Sequence, residues 1–256
     1  MRLLAIIAKL SFAAVLVSAI IGAVAAFGTR FGVWDYNFGL LTLFPWCLYF
    51  GIAAFALGVA WALGALFGND GAPARYGAIG LIASILIAGP PLYRVYVARA
   101  LPAIHDISTD TEDPPQFVVL KNDRKGATNP PSYDGPVIAK GPEGESEPTW
   151  KLQKKYYSDI RASSELTPPD NLFRRAVKTA YGMGWHVVAV EPKDGRIEAT
   201  DTSFWFGLTD DVVIRVKPAG EGARLDIRSK SRFGVSDFGV NAERVNAYRK
   251  ALSSTF

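Results

Sequence analysis

Three long apolar runs in the first hundred residues decide most of what this chain can fold into: residues 4–27, 40–67 and 76–97. The core of the first run, Leu10 to Phe27, is interrupted only by Ser11 and Ser18, the second carries Pro45 near its start, and the third carries Pro90-Pro91 near its end. Each exceeds the ~18 apolar residues that argue for a membrane-spanning helix. At 1.5 Å per residue the second run would be roughly 40 Å long, so it must tilt or extend past the hydrocarbon. Trp34, Tyr36, Trp46, Tyr93 and Tyr96 lie near the ends of the runs, as interfacial aromatics do.

Charge sharpens this division. Up to Ala100 the charged residues are Arg2, Lys9, Arg30, Arg75, Arg94 and Arg99 against Asp35 and Asp70, while the rest of the chain carries equal numbers of basic and acidic side chains. The net charge of +4 therefore sits beside the membrane region, where it sets topology and attracts anionic headgroups. A neutral second half argues against a nucleic-acid partner, which needs a basic face there. The flanking charges tie between the two sides of the membrane, and the first helix, with Arg2 and Lys9 ahead of it, favours a cytoplasmic N-terminus. Three spans then put residues 101–256 on the extracytoplasmic side of the inner (plasma) membrane. A cleaved signal peptide ending at Ala23-Val24-Ala25 is the competing reading, and it leads to the same side.

The spans offer little chemistry. No Asp, Glu or His sits mid-span, as a proton relay would need. Gly28-x-x-x-Gly32 and Gly64-x-x-x-Gly68 have the spacing of close helix contacts, although glycine is common in membrane helices anyway. Cys47 is the sole cysteine, inside a span, and reads as a small apolar residue.

The second half reads as an α+β domain. Ala98 to Gln116 reads as an extended connector, and residues 121–150, rich in Gly, Pro and charge, as a long surface loop. Regular structure is expected from Thr167, as the cap of a helix with Pro168 in its first position and Leu172, Phe173, Ala176, Val177, Ala180 and Tyr181 on one face. Four strands follow: Trp185 to Glu191, Arg196 to Asp201, Asp211 to Lys217 and Arg224 to Ser229. Val212, Ile214 and Val216 point inward, and Asp211, Arg215 and Lys217 point outward. A last helix from Asp237 or Gly239 buries Val245, Tyr248 and Leu252. The whole is an N-terminal bundle of three transmembrane helices (1–100), then a two-layer domain (101–256) with an antiparallel sheet and helices on one face.

Several pieces of this half resemble one family. They are Gly184-Trp185, Ile197-Glu198-Ala199, Asp210-Asp211-Val212-Val213-Ile214-Arg215, and Arg228-Ser229-x-Ser231-Arg232-x-Gly234-x-x-Asp237-x-Gly239-x-Asn241-Ala242-x-Arg244. With Asp106-Ile107-x-Thr109-Asp110 and Pro114-Pro115 upstream, they are similar to the domain-of-unknown-function-1499 family of bacteria and chloroplasts, over most of residues 104–252. The resemblance implies a domain and carries no established activity.

The densest polar stretch, Arg228 to Asn241, is the candidate site. Arg228, Ser229, Ser231 and Arg232 precede a helix N-terminus, where guanidinium forks, hydroxyls and backbone N–H groups suit a phosphate, sulfate or carboxylate. Asp237 and Asn241 would orient the arginines or cap the helix. The other reading pairs Arg228 and Arg232 with Asp210, Asp211 or Asp110 to fix the fold, and is favoured because buried polar networks specify structure. Asp210-Asp211 points to opposite sides of a strand and is no metal pair. His105 and His186 have no ligand spacing, and Gly234 to Gly239 breaks the spacing of a nucleophile elbow. Phe204-Trp205-Phe206 either packs in the core, the favoured reading, or lines an apolar pocket or dips into the bilayer. No catalytic residue, metal site or cofactor is expected. The leading expectation is a membrane-anchored envelope protein, in contact with membrane lipids, whose extracytoplasmic domain binds a partner protein or an anionic, lipid-like molecule. The alternatives are a hydrolase or transferase using Asp210 or Asp237 with Ser231, and a structural subunit of a membrane complex.

Overall fold

A computed structural model describes residues 2–67, 74–124 and 126–254. The chain forms two compact units: Met1–Tyr96 with Ser203–Gly207, and Val97–Thr202 with Leu208–Phe256.

The first unit is built on α1 (Arg2–Arg30), α2 (Phe44–Phe67) and α3 (Ala74–Ala98), with a π-helical turn at Asn37–Leu43 leading into α2. All three are long and apolar enough to cross a membrane. Glycines let them touch. A Cβ on Gly22 would lie 2.9 Å from Cys47 Sγ, on Gly51 2.7 Å from Ala88 Cβ, on Gly58 2.8 Å from Leu81 Cβ, and on Gly80 2.2 Å from Ser11 Oγ. Small residues of this kind drive helix association where lipid removes any hydrophobic gain. Ser11 and Ser18 donate to the carbonyls of Ala54 (2.8 Å) and Cys47 (2.7 Å), so the hydroxyls inside the first run bind neighbouring backbone. Of the two predicted glycine pairs, Gly28 faces the Trp34 ring and Gly64 faces Leu4; Gly68 lies outside the described residues.

The second unit contains β1 (Asp106–Ser108), β2 (Ile138–Lys140), β3 (Ser146–Pro148), α4 (Thr149–Tyr156), β4 (Ser163–Glu165), α5 (Pro169–Gly182), β5 (His186–Glu191), β6 (Arg196–Thr202), β7 (Thr209–Ala219), β8 (Gly222–Ser231) and α6 (Val240–Ser254). Its main sheet is antiparallel in the order β1-β8-β7-β6-β5, and β4 pairs with β8 beyond β1. One face carries Ile197, Ala199, Val212, Ile214, Val216, Leu225 and Ile227, packed with Leu172, Phe173 and Ala176 of α5 and Val245, Tyr248 and Leu252 of α6. Trp185 stacks on Tyr248 with ring centroids 5.3 Å apart, and the Tyr248 hydroxyl donates to the Ala176 carbonyl at 2.9 Å.

Four expectations are corrected. Regular structure begins well before Thr167, because β1 and β4 complete the outer edge of β8. The supposed connector therefore contains a strand. The loop at 121–150 holds the β2–β3 hairpin and the start of α4. Helix α5 is capped by Pro168 rather than Thr167, since Pro169 takes the first helical position and holds its predecessor extended (ψ 141°). Finally, Asp211 does not point to solvent. The sheet face opposite the helices is roofed by the chain around Phe117–Leu120 and Asn129–Asp134, and Phe117 and Leu120 form a second small core with Val213.

Candidate functional site

Strand alternation divides the predicted cluster in two. On β8, Arg224, Asp226, Arg228 and Lys230 project to the roofed face, while Leu225, Ile227, Ser229 and Ser231 project toward the helices. Arg228 and Arg232 are thereby separated from the serines between them. The same period-2 argument that excluded Asp210-Asp211 as one site applies to Arg228–Arg232.

On the roofed face each cation meets a carboxylate of its own chain. Arg228 grips Asp106 through two parallel bonds, Nε to Oδ1 and Nη2 to Oδ2, both 2.8 Å, and both residues are wholly buried. The guanidinium also donates to the carbonyls of Pro115, Pro131 and Ser132 and lies over the rings of Phe117 and Tyr133 (4.8 and 5.3 Å). Burial pushes the Tyr133 hydroxyl well above the usual tyrosine range. The Lys230 ammonium sits 2.7 Å from Asp134 and donates to the Ser132 carbonyl at 2.6 Å. Burial pulls this amine below the usual lysine value, against the pull of Asp106 and Asp134. Arg232 and Arg124 share Asp211, with Arg232 Nε at 2.9 Å. Asp134 also meets His105, whose Nε2 is 2.9 Å away and whose Nδ1 is 3.2 Å from the Val235 carbonyl. Acceptors at both nitrogens suit the imidazolium. Burial disfavours that charged form, but the contacts with Asp134 and Val235 outweigh it and raise the His105 pKa.

The helix face has a different network. Ser229 donates to Asn241 Oδ1 at 2.6 Å, and Asn241 donates to Ser231 Oγ at 2.8 Å and to the His105 carbonyl at 3.1 Å. Arg244 of α6 reaches Asp201 and Asp210 (both 2.8 Å), Asn241 (2.6 Å) and Ser229 (3.0 Å). Asp237 caps α6, accepting from the backbone N–H groups of Gly239 and Asn241, both at 2.8 Å. Burial pushes its carboxyl up while those two bonds hold it down. Asn241 thus orients Arg244, and neither it nor Asp237 touches Arg228 or Arg232 among the contacts above.

Sequence reasoning named Asp211, which does pair with Arg232, but missed Asp106 as the partner of Arg228, Asp134 as that of Lys230, Arg124 as a second cation on Asp211, and the Asp201–Arg244 pair on the other face. It also missed buried Glu198, whose carboxylate accepts from the N–H groups of Val118, Val119 and Leu120 and pairs with Arg196. Alternation on β6 puts Glu198 on the face opposite Ile197 and Ala199, which reads as solvent-facing, so nothing in the local sequence signalled its burial under the roof. Among the described residues, no three His, Cys, Asp or Glu side chains converge as a metal site.

Beside His105 the second unit has a recess of about 390 Å³, lined by Ile104, His105, Asp134, Val137, Ile138 and Val235, among others. Val235 and Ile138 are 80% and 61% exposed there. Phe204, Trp205 and Phe206 belong instead to the first unit. Phe204 and Trp205 flank Phe27 (6.4 and 5.9 Å between ring centroids), Phe206 packs on Phe44 (5.3 Å), and Arg30 donates to the carbonyls of Ser203 and Phe204.

The fold is that of an α+β domain, with an ionic layer closed by its own chain, following helices apolar enough to cross a membrane. The chain belongs to the family described as protein of unknown function (DUF1499), which matches residues 106–252, more than half of its length. No curated protein matches it.

Proposed function

We propose that this protein is a non-enzymatic envelope protein of the inner (plasma) membrane, and that its extracytoplasmic domain is a binding module for a partner protein. The observation that carries this reading is the closure of the polar cluster. Arg228, Lys230, Arg232 and Arg244 each face a carboxylate of the same chain, and the serines between them are held by Asn241 and Arg244. An external anion at this cluster would have to displace Asp106 or Asp211 from the buried face. The hydrolase or transferase reading loses its groups, because Asp237 is taken up in capping α6, Asp210 pairs with Arg244, and Ser231 Oγ accepts from Asn241. The structural-subunit reading loses support as well, since the glycines of the spans face residues of the same unit. What the domain offers a partner is the recess framed by Val137, Ile138 and Val235, an exposed apolar rim over a charged floor.

Sidedness follows from the basic residues ahead of the first span and an odd number of spans. A C-terminal reporter active only outside the cytoplasm is expected. In-cell photo-crosslinking from Ile138 should capture a protein partner, and Val235→Asp should abolish that cross-link while leaving thermal unfolding unchanged. An unchanged cross-link, or one shared by every exposed position tested, refutes the recess as the docking surface.

A further inference from the structure

The three helices are sealed by glycine contacts at Ser11–Gly80, Leu81–Gly58 and Ala88–Gly51, and beyond Ala88 the seal opens. Around and beyond this contact α3 contributes Leu86, Ile87, Pro90, Pro91 and Arg94 to the wall of a cavity of about 720 Å³. The opposite wall is α1, whose lining side chains (Ala19, Gly22, Ala23 and Ala26) are no larger than a methyl group. Trp205 and Phe206 lie across one end. Every lining residue belongs to the first unit.

The geometry points to this cavity as the seat of one anionic phospholipid, with an acyl chain between α1 and α3 and its phosphate at the Arg94 end. Three observations support that occupant. The space is an open-sided groove, with Ala23 and Leu86 of its lining exposed, and it runs between helices apolar enough to lie in hydrocarbon, where the available filler is lipid. Charge is complementary at the same end of the helices. Arg94 is exposed on the cavity wall and Arg30 lies beside the aromatic segment. The acidic Asp35 meanwhile accepts the Phe38 N–H. Lastly, Pro90 and Pro91 have no N–H, so the carbonyls of Leu86 and Ile87, four residues earlier on the cavity wall, lose their usual helical donors. Such carbonyls favour a polar lipid group or water over bare hydrocarbon. The site shares no residue with the partner-binding recess, so either can fail alone.

The test is native mass spectrometry of the full chain in mild detergent, offered phosphatidylglycerol or phosphatidylcholine. One phosphatidylglycerol per chain should be retained. Ala23→Phe, which fills the cavity, should reduce retention to the level of loosely associated detergent-exchangeable lipid. Arg94→Gln should keep a lipid but lower the preference for phosphatidylglycerol by about fivefold, as expected for one cation near a charged headgroup. Wild-type retention in Ala23→Phe, or undiminished preference in Arg94→Gln, overturns the assignment. Should Ala23→Phe fail to fold, brominated phosphatidylglycerol decides the seat: it should quench the wild-type chain more than Trp205→Phe, and equal quenching refutes the site.

Discussion

Asp106→Asn is the sharpest probe of how this domain is held. The substitution keeps the volume of the side chain and removes one charge from a place where Arg228 and Asp106 are both wholly buried. Breaking such a pair by removing one partner costs about 3–5 kcal/mol, because the remaining charge is left in a dry site. Here the low end applies. Arg228 keeps three backbone carbonyls, and Asn retains an acceptor for the Asp134 N–H that Asp106 now receives at 3.0 Å. Lys230, 3.5 Å from Asp106, keeps Asp134 at 2.7 Å. The expectation is a loss of about 3 kcal/mol, roughly two decades in the folding constant. Denaturant unfolding of the full chain in micelles would read it, together with hydrogen exchange of the peptides holding β1 and β8. The double change Asp106→Asn with Arg228→Met should recover part of the loss, since it leaves no orphaned charge. A loss below about 1 kcal/mol for the single change would mean the pair is solvated and the layer is not a buried ionic lock.

Other outcomes follow from the same contacts. His105 has a raised folded-state pKa, so its contribution to stability is fully present below the ordinary histidine value of 6.5 and is lost as pH rises through the higher folded value. Thermal unfolding should therefore weaken on that alkaline side, and His105→Gln should flatten the slope. Asp134 works oppositely: burial pushes its carboxyl up, but His105 and Lys230 hold it below 3.8, and its contribution fades as acid titrates it through that lower value. Glu198→Gln should cost about 2 kcal/mol and speed hydrogen exchange at Val118, Val119 and Leu120, whose N–H groups it anchors. Tyr248→Phe should cost about 1 kcal/mol through the lost bond to the Ala176 carbonyl, with the Trp185 stack intact in near-UV circular dichroism.

The parts of this fold that were legible in the sequence repeat with short periods. The stripe Leu172, Phe173, Ala176 and Ala180 marks α5, and alternating Val212, Ile214 and Val216 mark β7, because both patterns follow from local backbone geometry. The site was legible as a concentration of polar residues but not as an arrangement. Asp106 and Arg228 stand 122 positions apart, and nothing in either neighbourhood announces the other. The β2–β3 hairpin escaped because strands of three residues among glycines and prolines carry no readable alternation. Phe204 to Phe206 look like core aromatics in sequence; their setting became clear only once α1 and α2 were in place.

That aromatic tongue has a practical corollary. Anyone excising the globular half at Val97 to obtain a water-friendly fragment would keep Phe204, Trp205 and Phe206 between β6 and β7 while discarding Phe27, Arg30 and Phe44, the side chains they pack against. Such a fragment would carry a sticky beak and clump on purification. Trimming the beak to serines, rather than lengthening the cut, is the remedy the architecture suggests.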